Sequence, residues 1–178
     1  MATTTKWKLD ATHSELAFKV RHMMITNVRG EFQKFDGTIE SDGVDFSTSS
    51  IEVTIDANSI FTNEGSRDGH LKSADFFDVE KYPTLKFSAT SLKKVDEEEF
   101  ELTGTLTIKG VSKEVKLDVE FGGINKDPWG NEKAGFTVEG KINRKDFGLN
   151  WNAALETGGV LVSDEVKIIA EVQFVKQQ

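Results

Sequence analysis

The sequence predicts an all-β protein folded as an extended eight-stranded antiparallel barrel. Eight stretches alternate strictly between apolar and polar residues, which is typical of strands with one buried face and one solvent-exposed face. They are residues 16–22, 28–39, 51–57, 85–89, 100–108, 115–121, 136–142 and 166–174. Most links between them are short, as in an antiparallel meander. Because only closure removes the exposed edges of such a sheet, an up-and-down barrel is favoured over a sandwich.

The first four stretches differ in regularity. In 16–22 the inward phase holds Leu16, Phe18, Val20 and His22. In 28–39 the alternation slips by one residue, as a β-bulge inside one strand would produce. The stretches 51–57 and 85–89 keep a constant phase.

The last four stretches are the most regular. Residues 100–108 and 115–121 flank a tight turn at 109–111. The two prolines, Pro83 and Pro128, both fall between strands, where a missing N–H removes no ladder hydrogen bond.

Two long connections interrupt the period. Residues 59–82 include a stretch at 63–71 that is predicted to form a short helix with Asn63 or Ser66 as its N-cap. Residues 144–163 include 153–156, a predicted helical turn. Long connections in a compact fold often serve the function, for example as a lid.

Length and composition narrow the class of protein. The 178 residues predict a single domain over 1–178, and the net charge of −8 argues against nucleic acid or an anionic membrane as the main partner. The chain has no cysteine, which excludes thiolate chemistry and cysteine-ligated metals. The N-terminus shows no signal peptide and no window has the apolar length of a spanning helix, so a cytoplasmic location is expected.

The inward phase also contains small residues. They are Gly30, Gly37, Ala57, Ala89, Gly104, Gly140 and Ala170. They indicate either a ligand cavity or relief of crowding where strands coil, and the sequence leaves both open. A cavity along strands of this length would be narrow, long and apolar, which suits a hydrocarbon chain.

Candidate catalytic groups are few. His22 lies on the inward phase, and Arg67, Asp68 and His70 lie in the long connection, where they could bind a head group or brace the lid. Arg144 and Asp146 are expected to pair after the seventh strand. Since the sequence has no nucleophile elbow, zincin motif or phosphate loop, we expect no enzyme, no metal and no cofactor other than a bound lipid.

Several stretches resemble the YceI-like family. They are 10–18, 30–37, 67–71, 75–77, 82–84, 102–111 and 142–148, in order and with similar spacing. The resemblance implies a lipocalin-like barrel that binds a polyisoprenoid in its pore. Members of the family are described as carriers or stores of isoprenoid quinones and related amphiphiles, and some as stress-related.

The resulting hypothesis is non-enzymatic binding, storage or transport of a long-chain lipid, most simply a polyisoprenoid or isoprenoid quinone. The predicted wall residues are Phe18, Val20, His22, Phe32, Ile55, Phe87, Leu102, Leu106, Leu117, Phe136 and Ile142, with Phe76 and Phe77 at the entrance. The expected partner is an isoprenoid or fatty lipid, with transient membrane contact and a homodimer left open. The alternatives are an isomerase or hydrolase using His22 or His70, and a filled barrel that acts as a protein-interaction module.

Overall fold

The structure, a computed structural model, describes residues 4–89, 92–152 and 161–177. The β segments of this part are β1 (Thr4–Leu9), β2 (Glu15–His22), β3 (Thr26–Phe32), β4 (Phe35–Asp42), β5 (Asp45–Asp56), β6 (Ile60–Phe61), β7 (Thr84–Ala89), β8 (Leu92–Lys94), β9 (Glu99–Ile108), β10 (Val111–Lys126), β11 (Glu132–Asn143) and β12 (Val162–Lys176). Helix α1 spans Gly65–Lys72, and short 3-10 turns lie at Ala11–His13, Ala57–Ser59 and Arg144–Phe147.

These segments form a closed antiparallel barrel with eight strand positions, as the sequence predicts. Four positions are interrupted: β1–β2, β3–β4, β5–β6 and β7–β8 each continue along one side of a neighbouring strand. Closure comes from the first position, because both β1 and β2 pair with β12, while β1 also pairs with β4 and β2 with β3.

The slip in the alternation at 28–39 marks a break between two strands. The predicted bulge inside one continuous strand is wrong, because β3 ends at Phe32 and β4 begins at Phe35. The hydrogen bonds continue through the break: Gln33 N donates to Ser59 O, and Asp56 N donates to Lys34 O. The neighbouring segment at 57–59, between β5 and β6, forms a 3-10 turn beside this break. The two adjacent strand positions, β3–β4 and β5–β6, are therefore interrupted at the same level.

The first strand segment, β1, is missing from the sequence-based prediction. Trp7 and Leu9 are its inward residues, 1% and 5% exposed. The Trp7 indole N–H donates to Ser41 Oγ over 2.9 Å, which satisfies the one polar atom of a buried ring. With only two inward apolar residues, β1 shows a shorter alternation than the eight predicted stretches, and the pattern does not reveal it.

The predicted tight turn at 109–111 is present. Lys109 and Gly110 have φ values of 52° and 75° between β9 and β10. Two consecutive left-handed residues are the geometry that matches the twist of a two-residue hairpin.

The long connection contains the predicted helix with a different cap. The carboxylate of Glu64 accepts from the backbone N–H groups of Ser66 and Arg67, so Glu64 is the N-cap of α1. Asn63 and Ser66, the predicted caps, are not: Asn63 precedes the cap with a left-handed φ of 64°, and Ser66 already lies inside the helix. The predicted helical turn at 153–156 lies outside the described residues.

Candidate functional site: an apolar cavity inside the barrel

The inward faces of the strands enclose a cavity of about 570 Å³. This volume lies in the range of ligand sites, which are mostly apolar with a few placed polar groups. All the predicted wall and entrance residues line it: Phe18, Val20, His22, Phe32, Ile55, Phe76, Phe77, Phe87, Leu102, Leu106, Leu117, Phe136 and Ile142. The barrel interior is therefore hollow over part of its length.

An aromatic cluster fills the barrel beyond one end of the cavity. The Phe46 ring lies 5.4 Å from Trp7, 5.4 Å from Phe121 and 5.2 Å from Phe136 between centroids. Phe136 also lines the cavity, whereas Trp7, Phe46 and Phe121 do not. These three rings therefore close this end of the cavity, next to Phe136.

The polar side chains of the cavity wall gather at the other end, which we call the mouth. They are His22, Thr62, Ser66, Arg67, His70 and Arg144, and no carboxylate lies among the described lining residues. A chain of contacts ties them together. The rings of His70 and Trp151 lie 4.6 Å apart, Arg144 donates to Trp151 O, and Arg144 also donates to Val162 O, the residue paired with His22.

At the mouth, Thr62 links Arg67 to Asp68. Arg67 Nε donates to Thr62 Oγ1 over 2.8 Å and its Nη2 donates to Thr62 O over 2.7 Å. Thr62 in turn donates through its N–H and its hydroxyl to Asp68 Oδ1. Arg67 and Asp68 therefore brace the long connection, which is one of the two roles expected of them, and the contact between them runs through Thr62.

His70 sits between aromatic rings and one carboxylate. Its ring lies 5.1 Å from the Phe76 ring and 4.6 Å from the Trp151 ring, both edge-on, and Nε2 lies 2.9 Å from Asp75 Oδ2. Asp75 does not line the cavity, so the hydrogen bond of His70 Nε2 leads away from the cavity wall while the ring borders the cavity. Trp151 could not be predicted as a cavity-lining residue, because residues 149–152 show no strand alternation.

Arg144 organises the segment that leads out of β11. Its side chain is 3% exposed and donates to the carbonyl oxygens of Leu149, Trp151, Val162 and Ser163. Burial lowers the pKa of the Arg144 guanidinium, and the Asp164 carboxylate 3.9 Å away opposes that shift. The expected pair with Asp146 is wrong: backbone carbonyls hold Arg144, and its nearest carboxylate is Asp164 on the far side of the connection.

Three inward glycines make room for bulky side chains of the next strand. A Cβ placed on Gly30 would lie 2.3 Å from Phe18 Cζ, and one on Gly140 would lie 2.3 Å from Leu117 Cδ2. At Gly104 the nearest atom would be Phe87 Cζ, at 2.5 Å. The two interpretations of the small inward residues, a ligand cavity and relief of crowding, are therefore compatible. The glycines relieve crowding at the wall, while the centre of the barrel stays open.

In the part of the chain that the structure describes, no cluster of three His, Asp or Glu side chains could hold a metal ion. Among the same residues, no helix has the length and apolar character required to span a bilayer.

A closed antiparallel barrel around an apolar cavity defines a lipocalin-like class of fold. The YceI-like domain profile matches residues 7–174, and the chain belongs to this family. A UPF0312 protein of Staphylococcus aureus (strain MW2) is 42% identical over 171 residues, covering 96% of this chain and 97% of that protein.

Solved structures share the fold. The YceI protein of Campylobacter jejuni has a TM-score of 0.77 and 36% identity, covering 89% of this chain and 90% of the other. BcnA of Burkholderia cenocepacia has a TM-score of 0.80 with 23% identity, covering 93% and 98%. A polyisoprenoid binding domain from Saccharophagus degradans has a TM-score of 0.69 with 18% identity, covering 96% and 98%.

Proposed function

We propose that the protein binds one long-chain lipid, a polyisoprenoid or an isoprenoid quinone, as a non-enzymatic carrier or store. The observation that carries this proposal is a cavity with apolar walls whose polar side chains are confined to the mouth. An amphiphile fits such a site with its chain inside and its polar end at the mouth. The polyisoprenoid binding domain of Saccharophagus degradans, which shares the fold, gives this proposal independent support.

The energy of binding would come from the apolar wall. Each Å² of hydrocarbon removed from water contributes about 25 cal/mol, less the free energy needed to order the chain. Phe18, Phe32 and Phe87 supply broad apolar surfaces on three different strands. A wall of this kind selects a chain by its length and girth, since one methylene more or less changes the binding free energy little.

The enzyme alternative needs a nucleophile joined to a base. Ser66 and His70 lie one turn apart on α1 and both line the cavity, and His70 contacts Asp75. Among the described residues, however, the His70 ring has a hydrogen bond to Asp75 but none to Ser66. A triad needs the nucleophile and base within hydrogen-bond reach, so the geometry favours binding.

Mass spectrometry of an organic extract of the purified protein tests the proposal. We expect one dominant isoprenoid species in near-equal amount to the protein. An extract with no lipid, from protein that also fails to take up added lipid, contradicts the carrier role. Turnover of a bound lipid that is lost in His70→Ala, with lipid uptake retained, would instead support the enzyme.

A further inference from the structure

A row of basic side chains crosses the outer wall of the barrel. The registers of β11, β12, β2 and β3 place Lys141 opposite Lys167, Lys167 opposite Lys19, and Lys19 opposite Arg29. Each lies between inward residues that line the cavity or flank it, so each side chain points outward. With strands about 4.8 Å apart, the row is about 14 Å long.

The central part of this row lacks neutralising partners. Lys141 lies 3.7 Å from Glu165, and Arg29 pairs with Glu15. Within the described part of the chain, Lys19 and Lys167 have no carboxylate within 4.0 Å. Like charges directly opposite each other on neighbouring strands destabilise a sheet. A net charge of −8 thus coexists with a local row of four basic side chains whose two central members have no ion-pair partner among the described residues.

An exposed apolar tip lies at the end of two of the same strands. The turn between β2 and β3 exposes Met23, Met24 and Ile25 by 44%, 55% and 72%. Met23 and Met24 have φ values of 53° and 62°, a left-handed geometry that bulky residues rarely adopt. Three large apolar residues in succession at a hairpin tip form a contiguous patch, unlike single exposed residues elsewhere.

This tip is next to the mouth of the cavity. His22, the residue before it, lines the cavity, and Met23 N donates to Leu161 O, where Leu161 also lines the cavity. The Arg21 side chain, one residue earlier, donates through Nε to Met24 O. The apolar tip therefore lies at the mouth end of the barrel, on the side of the barrel wall that carries the basic row.

We propose that this side of the barrel docks on an anionic lipid bilayer, with Met23, Met24 and Ile25 entering the interface and the basic row facing the head groups. Basic clusters are attracted to anionic leaflets, and apolar side chains beside them enter the acyl boundary. Docking in this orientation would bring the mouth to the membrane surface, where a lipid could enter or leave without crossing water. This surface goes beyond the proposed cavity function, and the two can fail separately.

Vesicle sedimentation tests the docking. Phosphatidylcholine vesicles with 30% phosphatidylglycerol are compared with pure phosphatidylcholine vesicles at 50 mM and 500 mM salt. We expect wild-type protein to bind the anionic vesicles at low salt and to be released at high salt. The double variant Lys19→Glu, Lys167→Glu is expected to bind at least about tenfold more weakly.

Two matched controls separate local from general effects. Lys86→Glu with Lys93→Glu changes the net charge equally on β7 and β8, at the opposite side of the barrel, and is expected to retain binding. Met24→Ser with Ile25→Ser is expected to weaken binding several-fold, whereas Val44→Ser with Val95→Ser, exposed at other turns, is not.

The result that overturns the proposal is equal binding of wild-type protein to both vesicle types, or equal losses in the two charge-reversed variants. Uptake of an isoprenoid from detergent-free solution is measured in parallel, because it reports the cavity and the fold. Retained uptake with lost sedimentation assigns the defect to the surface. If the reversed variant fails to fold, Lys19→Gln with Lys167→Gln takes its place, with a smaller expected loss.

Discussion

The Phe87 ring lies against the backbone of Gly104 on the neighbouring strand, so that a Cβ on residue 104 would stand 2.5 Å from Phe87 Cζ and 2.7 Å from Ser88 O. Phe87 also lines the cavity. Because the ring can approach this closely only where no Cβ projects, Gly104 lets it lie flat on the wall. Gly30 with Phe18 repeats the arrangement, and in both pairs the aromatic ring borders the cavity.

Gly104→Ala is expected to narrow the cavity. The added methyl must displace the Phe87 ring toward the interior or shift the Ser88 backbone, which costs about 1–3 kcal/mol of stability. Lipid capacity should fall, most for the thickest chains. Urea denaturation measures the stability, and titration with isoprenoids of increasing girth measures the capacity.

Gly135→Ala is the matched control for that substitution. Gly135 lies in β11, and a Cβ there would meet no atom within 4 Å. This variant should keep its lipid capacity. If both alanine variants behave alike, the glycine–aromatic pairs do not control the width.

Arg144→Met is expected to lose about 3 kcal/mol or more of stability. The substitution leaves the carbonyls of Leu149, Trp151 and Ser163 without their charged donor, and buried unsatisfied carbonyls are costly. Arg144→Lys should recover little of the loss, since an ammonium cannot reach these carbonyls with a planar fork. Chemical denaturation of both variants checks this, and full rescue by lysine would show that charge alone suffices.

Asp10 is expected to make stability fall in acid. Burial raises the pKa of its carboxyl, but hydrogen bonds from Lys133, Thr12 and His13 outweigh that effect and hold the pKa well below 3.8. A group with a lowered folded-state pKa stabilises the fold above its unfolded pKa and loses that contribution as pH falls below it. The benefit is therefore complete above about pH 5 and declines below about pH 4.

Urea denaturation at several pH values measures the Asp10 contribution. Wild type should exceed Asp10→Asn by about 1–3 kcal/mol at pH 7, and the difference should shrink toward pH 2. Asp118→Asn, an exposed carboxylate on β10, provides the comparison. A difference for Asp10→Asn that stays constant with pH would assign its effect to packing instead.

The barrel could be predicted because its signal is repeated and local. Alternation marks the inward face residue by residue, so Phe18, Leu106 and Ile142 could be assigned to the inner wall of the barrel from the sequence alone. The interruptions could not be predicted, because a break at 33–34 and a bulge give the same slip in phase. The N-cap was misassigned because Glu64 caps with a longer side chain than the residues that usually do so.

The mouth was only partly predictable for a related reason. Its contacts join residues distant in the chain, such as His70 with Trp151 and Arg144 with Val162, and no periodicity links them. The outer basic row was equally hidden, since Lys19 and Lys167 become neighbours only through strand register. Net charge, the one sequence measure that bears on it, has the opposite sign.

Native mass spectrometry of lipid loading, compared between Leu106→Trp and wild type, shows whether a lipid chain occupies the interior of the barrel. Leu106 points into the cavity from β9, whereas Thr105 beside it is exposed, so Thr105→Trp carries the same bulk outside. We expect one isoprenoid per chain for wild type and Thr105→Trp, and almost none for a folded Leu106→Trp. Unchanged loading of Leu106→Trp would contradict a chain bound lengthwise inside the barrel.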